Sequence, residues 1–191
     1  MLKFNNRYFI LRHGQATSNI GRWLAGWPEN PRISHLTPKG VKQIKKDSQF
    51  FKKIGLDLIF SSDLERTKKT ARIVSQATKA PVIYKKELRE INVGVFKGQS
   101  VIKYRQYFHN HVDRFTTRPP KGENLNECKK RIFKVFQEIN KKYKNKKILI
   151  VSHGDPLWLL EGAIKNKTPM QMAMARGHRL WPGDYRELKM K

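Results

Sequence analysis

The chain has 191 residues and a formal net charge of +26, from 41 Lys plus Arg set against 15 Asp plus Glu. At 38% hydrophobic and 10% aromatic it holds enough apolar side chain to close a core, which excludes a charge-extended disordered coil as its main state. The length suits one domain over residues 1–191; two full domains would be cramped.

The opening stretch MLKFNNRYFILRHG has neither a long apolar region nor a small-residue cleavage site, so no signal peptide is expected. Within it, Tyr8 to Leu11 is a short run of β-favouring residues ending in charged Arg12, the pattern of a buried strand running into a functional loop. Thr37-Pro38 reads as an N-cap and first helical residue. Val41, Ile44, Phe50, Phe51 and Ile54 follow at helical spacing, with Gly55 as the stop. Leu58 to Phe60 is a second strand, Ser61-Ser62-Asp63 supplies caps for a helix over Leu64 to Ala77, and Val82 to Tyr84 is a third short strand. From Gly98 to Arg118 the pattern loosens and becomes aromatic-rich, with Tyr104, Tyr107, Phe108 and Phe115 expected to build a helical lid; the flap is assigned to residues 98–122.

Asn124 to Asn140 is a long amphipathic helix with Ile132, Phe133, Val135, Phe136 and Ile139 on its buried side. It also carries Cys128, the single cysteine, which cannot form an internal disulfide and suits a reducing compartment, so a cytoplasmic location is expected. Lys147 to Val151 is the clearest buried strand and ends in Ser152-His153-Gly154. The longest apolar run, Val151 to Leu160, is broken by His153 and Asp155, whereas a membrane span needs about 20 consecutive apolar residues. No membrane partner is expected. Strands alternating with helices predict an α/β three-layer sandwich, with a mostly parallel central sheet flanked by helices and a helical flap over the active site. In such sheets ligands bind beyond the carboxyl ends of the strands.

Two strands end in the same device, Arg12-His13-Gly14 and Ser152-His153-Gly154. Glycine at these points is expected to let backbone approach a ligand closely. If the strands are parallel neighbours, both imidazoles and Arg12 emerge at one edge and converge on one anion. The helix after the second strand adds Arg66, about one turn inside.

Leu11-Arg12-His13-Gly14-Gln15-Ala16-Thr17-Ser18-Asn19, followed by Leu36-Thr37-Pro38-Lys39-Gly40, resembles the opening of the histidine phosphatase superfamily, the phosphoglycerate-mutase-like proteins. Ser61-Ser62-Asp63-Leu64-Glu65-Arg66-Thr67-Lys68-Lys69-Thr70-Ala71 resembles its second motif and Leu88-Arg89-Glu90-Ile91-Asn92-Val93-Gly94-Val95-Phe96-Lys97-Gly98 its third. Gly122-Glu123-Asn124 is similar to its Gly-Glu-Ser segment, and Val151-Ser152-His153-Gly154 to its closing motif. The resemblance implies a phosphomonoester hydrolase working through phosphohistidine at His13, with Arg12, Arg66 and His153 around the phosphoryl oxygens. It implies no cofactor and no metal. Asn19 matches a position that contacts the phosphoryl group, Arg22 lies near the pocket mouth by analogy, and Glu90 matches the proton donor, with Glu87 as its competitor. Trp23, Trp27, Trp158 and Trp181 read as core or rim packing, with Trp23 and Trp27 in the loop expected to border the pocket.

Two departures from that pattern bear on function. Asp155-Pro156 places a carboxylate beside an anion pocket, where it would orient His153, serve as an auxiliary proton donor, or weaken phosphate binding. The interval between the third motif and His153 is compact, which favours hydrolysis over a mutase that must keep its intermediate dry. His35, His109, His111 and His178 have no metal-ligand spacing. The expected partner is a small phosphorylated substrate of the sugar phosphate or nucleotide class. Lys outnumbers Arg 27 to 14 and is spread over solvent-facing helical positions, so a nucleic-acid partner is open from charge alone but not favoured. The alternatives are a phosphoglycerate-type mutase and a basic polyanion- or RNA-binding protein on the same scaffold. Apolar helical faces would pair subunits or fill the core equally well, so oligomeric state is unknown.

Overall fold

Strands form where the sequence can be buried on both sides. In this computed structural model, which describes residues 3–27, 33–175 and 179–189, the elements in chain order are β1 (Arg7–Arg12), α1 (Thr17–Ile20), α2 (Pro38–Ile54), β2 (Leu58–Ser61), α3 (Glu65–Thr78), β3 (Val82–Tyr84), α4 (Val101–Gln106), α5 (Leu125–Lys142), β4 (Lys147–Ser152), α6 (Gly154–Ile164), α7 (Pro169–Met174) and β5 (Tyr185–Glu187). The five strands lie in the order β3-β2-β4-β1-β5. β3, β2, β4 and β1 run parallel to one another, and the edge strand β5 is antiparallel to β1.

Alternation along the strands divides the core. Tyr8 and Ile10 of β1 and Ile148 and Ile150 of β4 meet Ile132, Val135, Phe136 and Ile139 of α5 and Leu157 and Leu160 of α6. Phe9, Leu11, Leu149 and Val151 face the other way, onto Ile44 and Phe51 of α2 and Ala71 and Val74 of α3. Burial on both faces explains why these strands read as continuous apolar runs. The layers are therefore helices, sheet, helices, and the α/β architecture is the one expected.

The limits of α2 follow its signals. Thr37 Oγ1 accepts from Gly40 N at 3.0 Å, Pro38 is the first helical residue, and the helix stops at Gly55. Phe50 departs from expectation: it lies at the rim, 39% exposed, its ring 4.8 Å from that of Tyr185. The caps expected before α3 are also corrected. Its N-cap is Leu64, with no side-chain cap bond, because Asp63 is engaged by Arg89 and Ser62 by His153. β5 and the helices α1, α6 and α7 were not among the expected elements.

The 98–122 segment is α4, a turn over Asp113–Phe115 and connecting loops. Tyr104, Phe108 and Phe115 are buried with Trp158 and Leu159 in a core of their own, while Tyr107 is exposed. The segment is thus anchored from below. Among the described residues no helix is long and apolar enough to cross a membrane.

Candidate active site

Register places the chemistry. β1 pairs with β4 so that Arg12 lies beside Ser152, and β4 pairs with β2 so that Val151 lies beside Ser61. The next residues, His13, His153 and Ser62, therefore leave the sheet side by side. Backbone bonds fix the exits: His13 N donates to Ser152 O at 3.1 Å, and Ser62 N to Val151 O at 3.0 Å. The two histidine rings stand 5.2 Å apart, and both are buried.

The glycines after the histidines each meet close neighbours within the protein. A Cβ on Gly14 would come within 2.8 Å of Gly40 O and 2.9 Å of Ile44 Cγ1, so this glycine lets the His13 loop seat on the first turns of α2. A Cβ on Gly154 would lie 3.1 Å from Arg12 Cζ, so this one makes room for the guanidinium.

His13 Nδ1 is 2.8 Å from Gly14 O. A carbonyl only accepts, so Nδ1 carries the proton and Nε2 holds the lone pair. Arg66 Nε donates to that lone pair at 3.1 Å, and Arg66 Nη2 reaches Ala25 O at 3.2 Å. His153 Nε2 lies 3.0 Å from Ser62 Oγ. Burial first, and then the charges of Arg66 and its neighbours, push both imidazoles well below the ordinary histidine value. Both are neutral at pH 7.

That neutrality has a stability consequence with a definite sign. Below about pH 6.5 the unfolded chain protonates these imidazoles while the folded protein does not, so the unfolded state binds more protons and acidification favours it. Urea titrations at stepped pH should show full stability above pH 6.5. Stability should then fall on acidification, by up to about 1.4 kcal/mol per pH unit for each histidine. A flat profile between pH 6.5 and 5 would show that the imidazoles are not held neutral.

Arg12 Nη1 donates to Leu180 O at 2.8 Å, while Arg12 Nε and His153 Nδ1 are buried with no hydrogen-bond partner among the described residues. Arg12, His13, Arg66 and Glu90 line one cavity of about 1370 Å³. Burial, reinforced by the Asp155 carboxylate, raises the Glu90 pKa above its ordinary value, against the opposing pull of Arg66 and Arg12. The Glu90 loop is braced: Arg131 donates to Glu87 O at 2.6 Å and Arg89 O at 3.0 Å, and Glu123 holds Arg131 at 2.5 Å. Trp27 Nε1 donates to Glu90 O at 2.6 Å.

Asn19 and Arg22 line the cavity, and Asn19 Oδ1 accepts from Ala16 N at 2.9 Å. Glu87 does not: it is exposed on a 3₁₀ turn, and of the two candidate donors Glu90 is the one at the cavity, which Asp155 also lines. The readings of Asp155 as a proton donor or as the partner of His153 are corrected too. Burial disfavours its charge, but Arg179 at 3.2 Å and Arg114 at 2.8 Å outweigh this and hold it well below the usual carboxylate range. An ionised carboxylate cannot donate, and the partner of His153 is Ser62.

Sequence reasoning missed Arg114, Arg131 and Ser62. Arg131 had a usable signal, a cation in the buried stripe between Cys128 and Ile132. His35, His109 and His111 are exposed, and His178 lies outside the described residues. Among the described residues no three His, Cys, Asp or Glu side chains group as a metal site.

The sequence matches the family model of the histidine phosphatase superfamily (branch 1) over residues 8–179. A probable phosphoglycerate mutase, GpmB of Escherichia coli O1:K1, is 31% identical over 164 residues, covering 82% of this chain and 73% of that protein. The structure of a mycobacterial glucosyl-3-phosphoglycerate phosphatase superposes with a TM-score of 0.82 at 21% identity, covering 95% of this chain and 88% of that one, a likeness of fold alone. Bacillus stearothermophilus YhfR gives a TM-score of 0.81 at 25% identity, covering 93% of this chain and 87% of that one.

Proposed function

The chain belongs to the histidine phosphatase superfamily, branch 1, and from that membership we propose that it hydrolyses a small phosphomonoester through a phosphohistidine at His13. The observation that carries this reading is the His13 tautomer. Nδ1 is bound to Gly14 O at 2.8 Å and the Nε2 lone pair is turned toward Arg66 in a cavity-lining cage. In the first step Nε2 bonds to phosphorus as the ester P–O bond breaks, and the departing oxygen takes its proton from Glu90. In the second, water gives a proton to the Glu90 carboxylate as its oxygen bonds to phosphorus and the P–N bond breaks, releasing inorganic phosphate. Arg12, Arg66 and neutral His153 hold the charge on the non-bridging oxygens throughout.

Asn19 and Arg22 line the route to this cage and are assigned to substrate binding, and the 98–122 segment to specificity. The two guanidinium groups do the electrostatic work that a metal ion would otherwise do, so the reaction is assigned as metal-independent. With EDTA present, the rate toward p-nitrophenyl phosphate should stay unchanged, and an acid-labile phosphoryl label should appear on rapid quenching. Loss of activity with chelator and recovery with a divalent cation would defeat the metal-independent assignment. The roomy cavity favours water as acceptor over a mutase cycle. A rate that depends on a bisphosphate primer would favour the mutase instead. A buried single thiol, Cys128, suits a cytoplasmic location.

A further inference from the structure

The cavity is larger than a phosphoryl cage requires. Its volume of about 1370 Å³ exceeds the roughly 300–1,000 Å³ usual for small-molecule sites. One wall is α2, where Lys39, Lys42 and Lys46 line the cavity and are exposed. Their i, i+3, i+7 spacing puts them on one face, and the helical rise spreads them over about 10 Å. This wall adjoins the chemistry, because the turn between Lys39 and Lys42 carries the Gly40 carbonyl against which Gly14 packs.

Trp181 lines the same cavity and is 77% exposed. An indole left in water gains nothing for the fold, yet the backbone that carries this one is held firmly. Trp181 N donates to Asp184 Oδ2 at 2.9 Å, and Gln43 Nε2 of α2 donates to Pro182 O at 2.9 Å. Gly183 N donates to His13 O, also at 2.9 Å. The ring is therefore carried on a turn fastened both to the lysine-bearing helix and to the backbone of His13. Of the acidic groups here, Asp184 is occupied in bracing that turn and Asp47 is half-buried.

We propose that this wall is a second subsite, in which Trp181 stacks a planar base and Lys39, Lys42 and Lys46 hold a further phosphate. The substrate class is then a nucleoside bisphosphate, presenting one phosphomonoester to His13. This rests on the reading of His13 as phosphoryl acceptor. The reaction is unchanged: the ester P–O bond breaks, water supplies the fourth oxygen of phosphate, and the released ribose hydroxyl keeps the donated proton.

The test compares kcat/KM for adenosine 3′,5′-bisphosphate with that for adenosine 5′-monophosphate, which lacks the second phosphate, and for fructose 1,6-bisphosphate, which lacks the base. The nucleoside bisphosphate should exceed each by about tenfold or more, the scale of one stacked base or one well-placed phosphate contact. The triple variant Lys39→Gln, Lys42→Gln, Lys46→Gln should abolish its advantage over the monophosphate, and Trp181→Ala its advantage over the sugar bisphosphate. A control triple on the far end of α5 and beyond, Lys141→Gln, Lys142→Gln, Lys144→Gln, should move neither ratio by more than about threefold if the effect is local rather than a diffuse field. Equal losses in both triples, or no preference for the base, would overturn the subsite. Calorimetric binding of adenosine 3′,5′-bisphosphate to the same variants separates the two readings. Binding that depends on these lysines and Trp181, in a protein that turns over no monoester, would sink the phosphatase reading and keep the subsite. Turnover of simple monoesters with indifferent binding would do the reverse.

Discussion

His13→Ala is expected to lower kcat toward any phosphomonoester by on the order of 10⁴-fold or more, because it removes the atom proposed to bond to phosphorus. Both hydrogen bonds described for the ring are specific to its imidazole: the Gly14 carbonyl fixes the tautomer and Arg66 Nε finds the lone pair. The variant should yield no acid-labile phosphoryl label in rapid-quench experiments. It should still bind inorganic phosphate within about tenfold of the parent, since the proposed anion cage keeps both guanidinium groups, Arg12 and Arg66. Near-parental turnover by His13→Ala would remove the covalent mechanism outright.

Glu90→Gln is expected to separate substrates by their leaving groups. With an alkyl phosphate, whose alkoxide needs a proton, kcat/KM should fall about 10²–10⁴-fold. With p-nitrophenyl phosphate the leaving phenolate needs no such help. The first step should survive while the second slows for want of a base, giving a burst of nitrophenolate and a standing phosphohistidine. The pH dependence has a sign as well. Donation requires protonated Glu90, so kcat/KM of the parent for an alkyl phosphate should fall as pH rises through the Glu90 pKa, which burial and Asp155 hold above the ordinary carboxyl value. Asp155→Asn removes a negative neighbour and releases two guanidinium groups from their partner. It should therefore move that falling limb to lower pH. Equal losses for both kinds of substrate in Glu90→Gln, without a burst, would exclude Glu90 as the donor.

Elements whose signals are local were legible from sequence. Thr37-Pro38 and Gly55 bracket α2 because capping and termination are decided by adjacent residues. β1 and β4 read clearly because a strand covered on both faces must be apolar throughout. β5 escaped because Tyr185, Arg186 and Glu187 are all half-buried, on a strand whose existence depends on the exposed side of β1. α6 is buried along most of its length and so shows no amphipathic period to read.

The same division runs through the site. His13, His153, Arg12 and Arg66 could be placed from strand ends and motif order; Arg12, His13 and Arg66 line one cavity, and the His153 ring lies buried 5.2 Å from that of His13. The fate of Asp155 could not, since its charge is set by Arg114, 41 residues away, and by Arg179. Ser62 looked like a cap because sequence shows a serine before a helix and hides the imidazole across the sheet.

The position of β1 between β4 and β5 governs how the chain acquires its shape during translation. Arg7 pairs with Lys147 and Phe9 with Glu187, whereas β2 and β3 meet across a single helix. The α3 crossover can dock its two strands early, but β1 waits on the ribosome, apolar and unpaired, until β4 emerges. A nascent chain arrested before that point carries an apolar strand whose parallel partner has not yet been made.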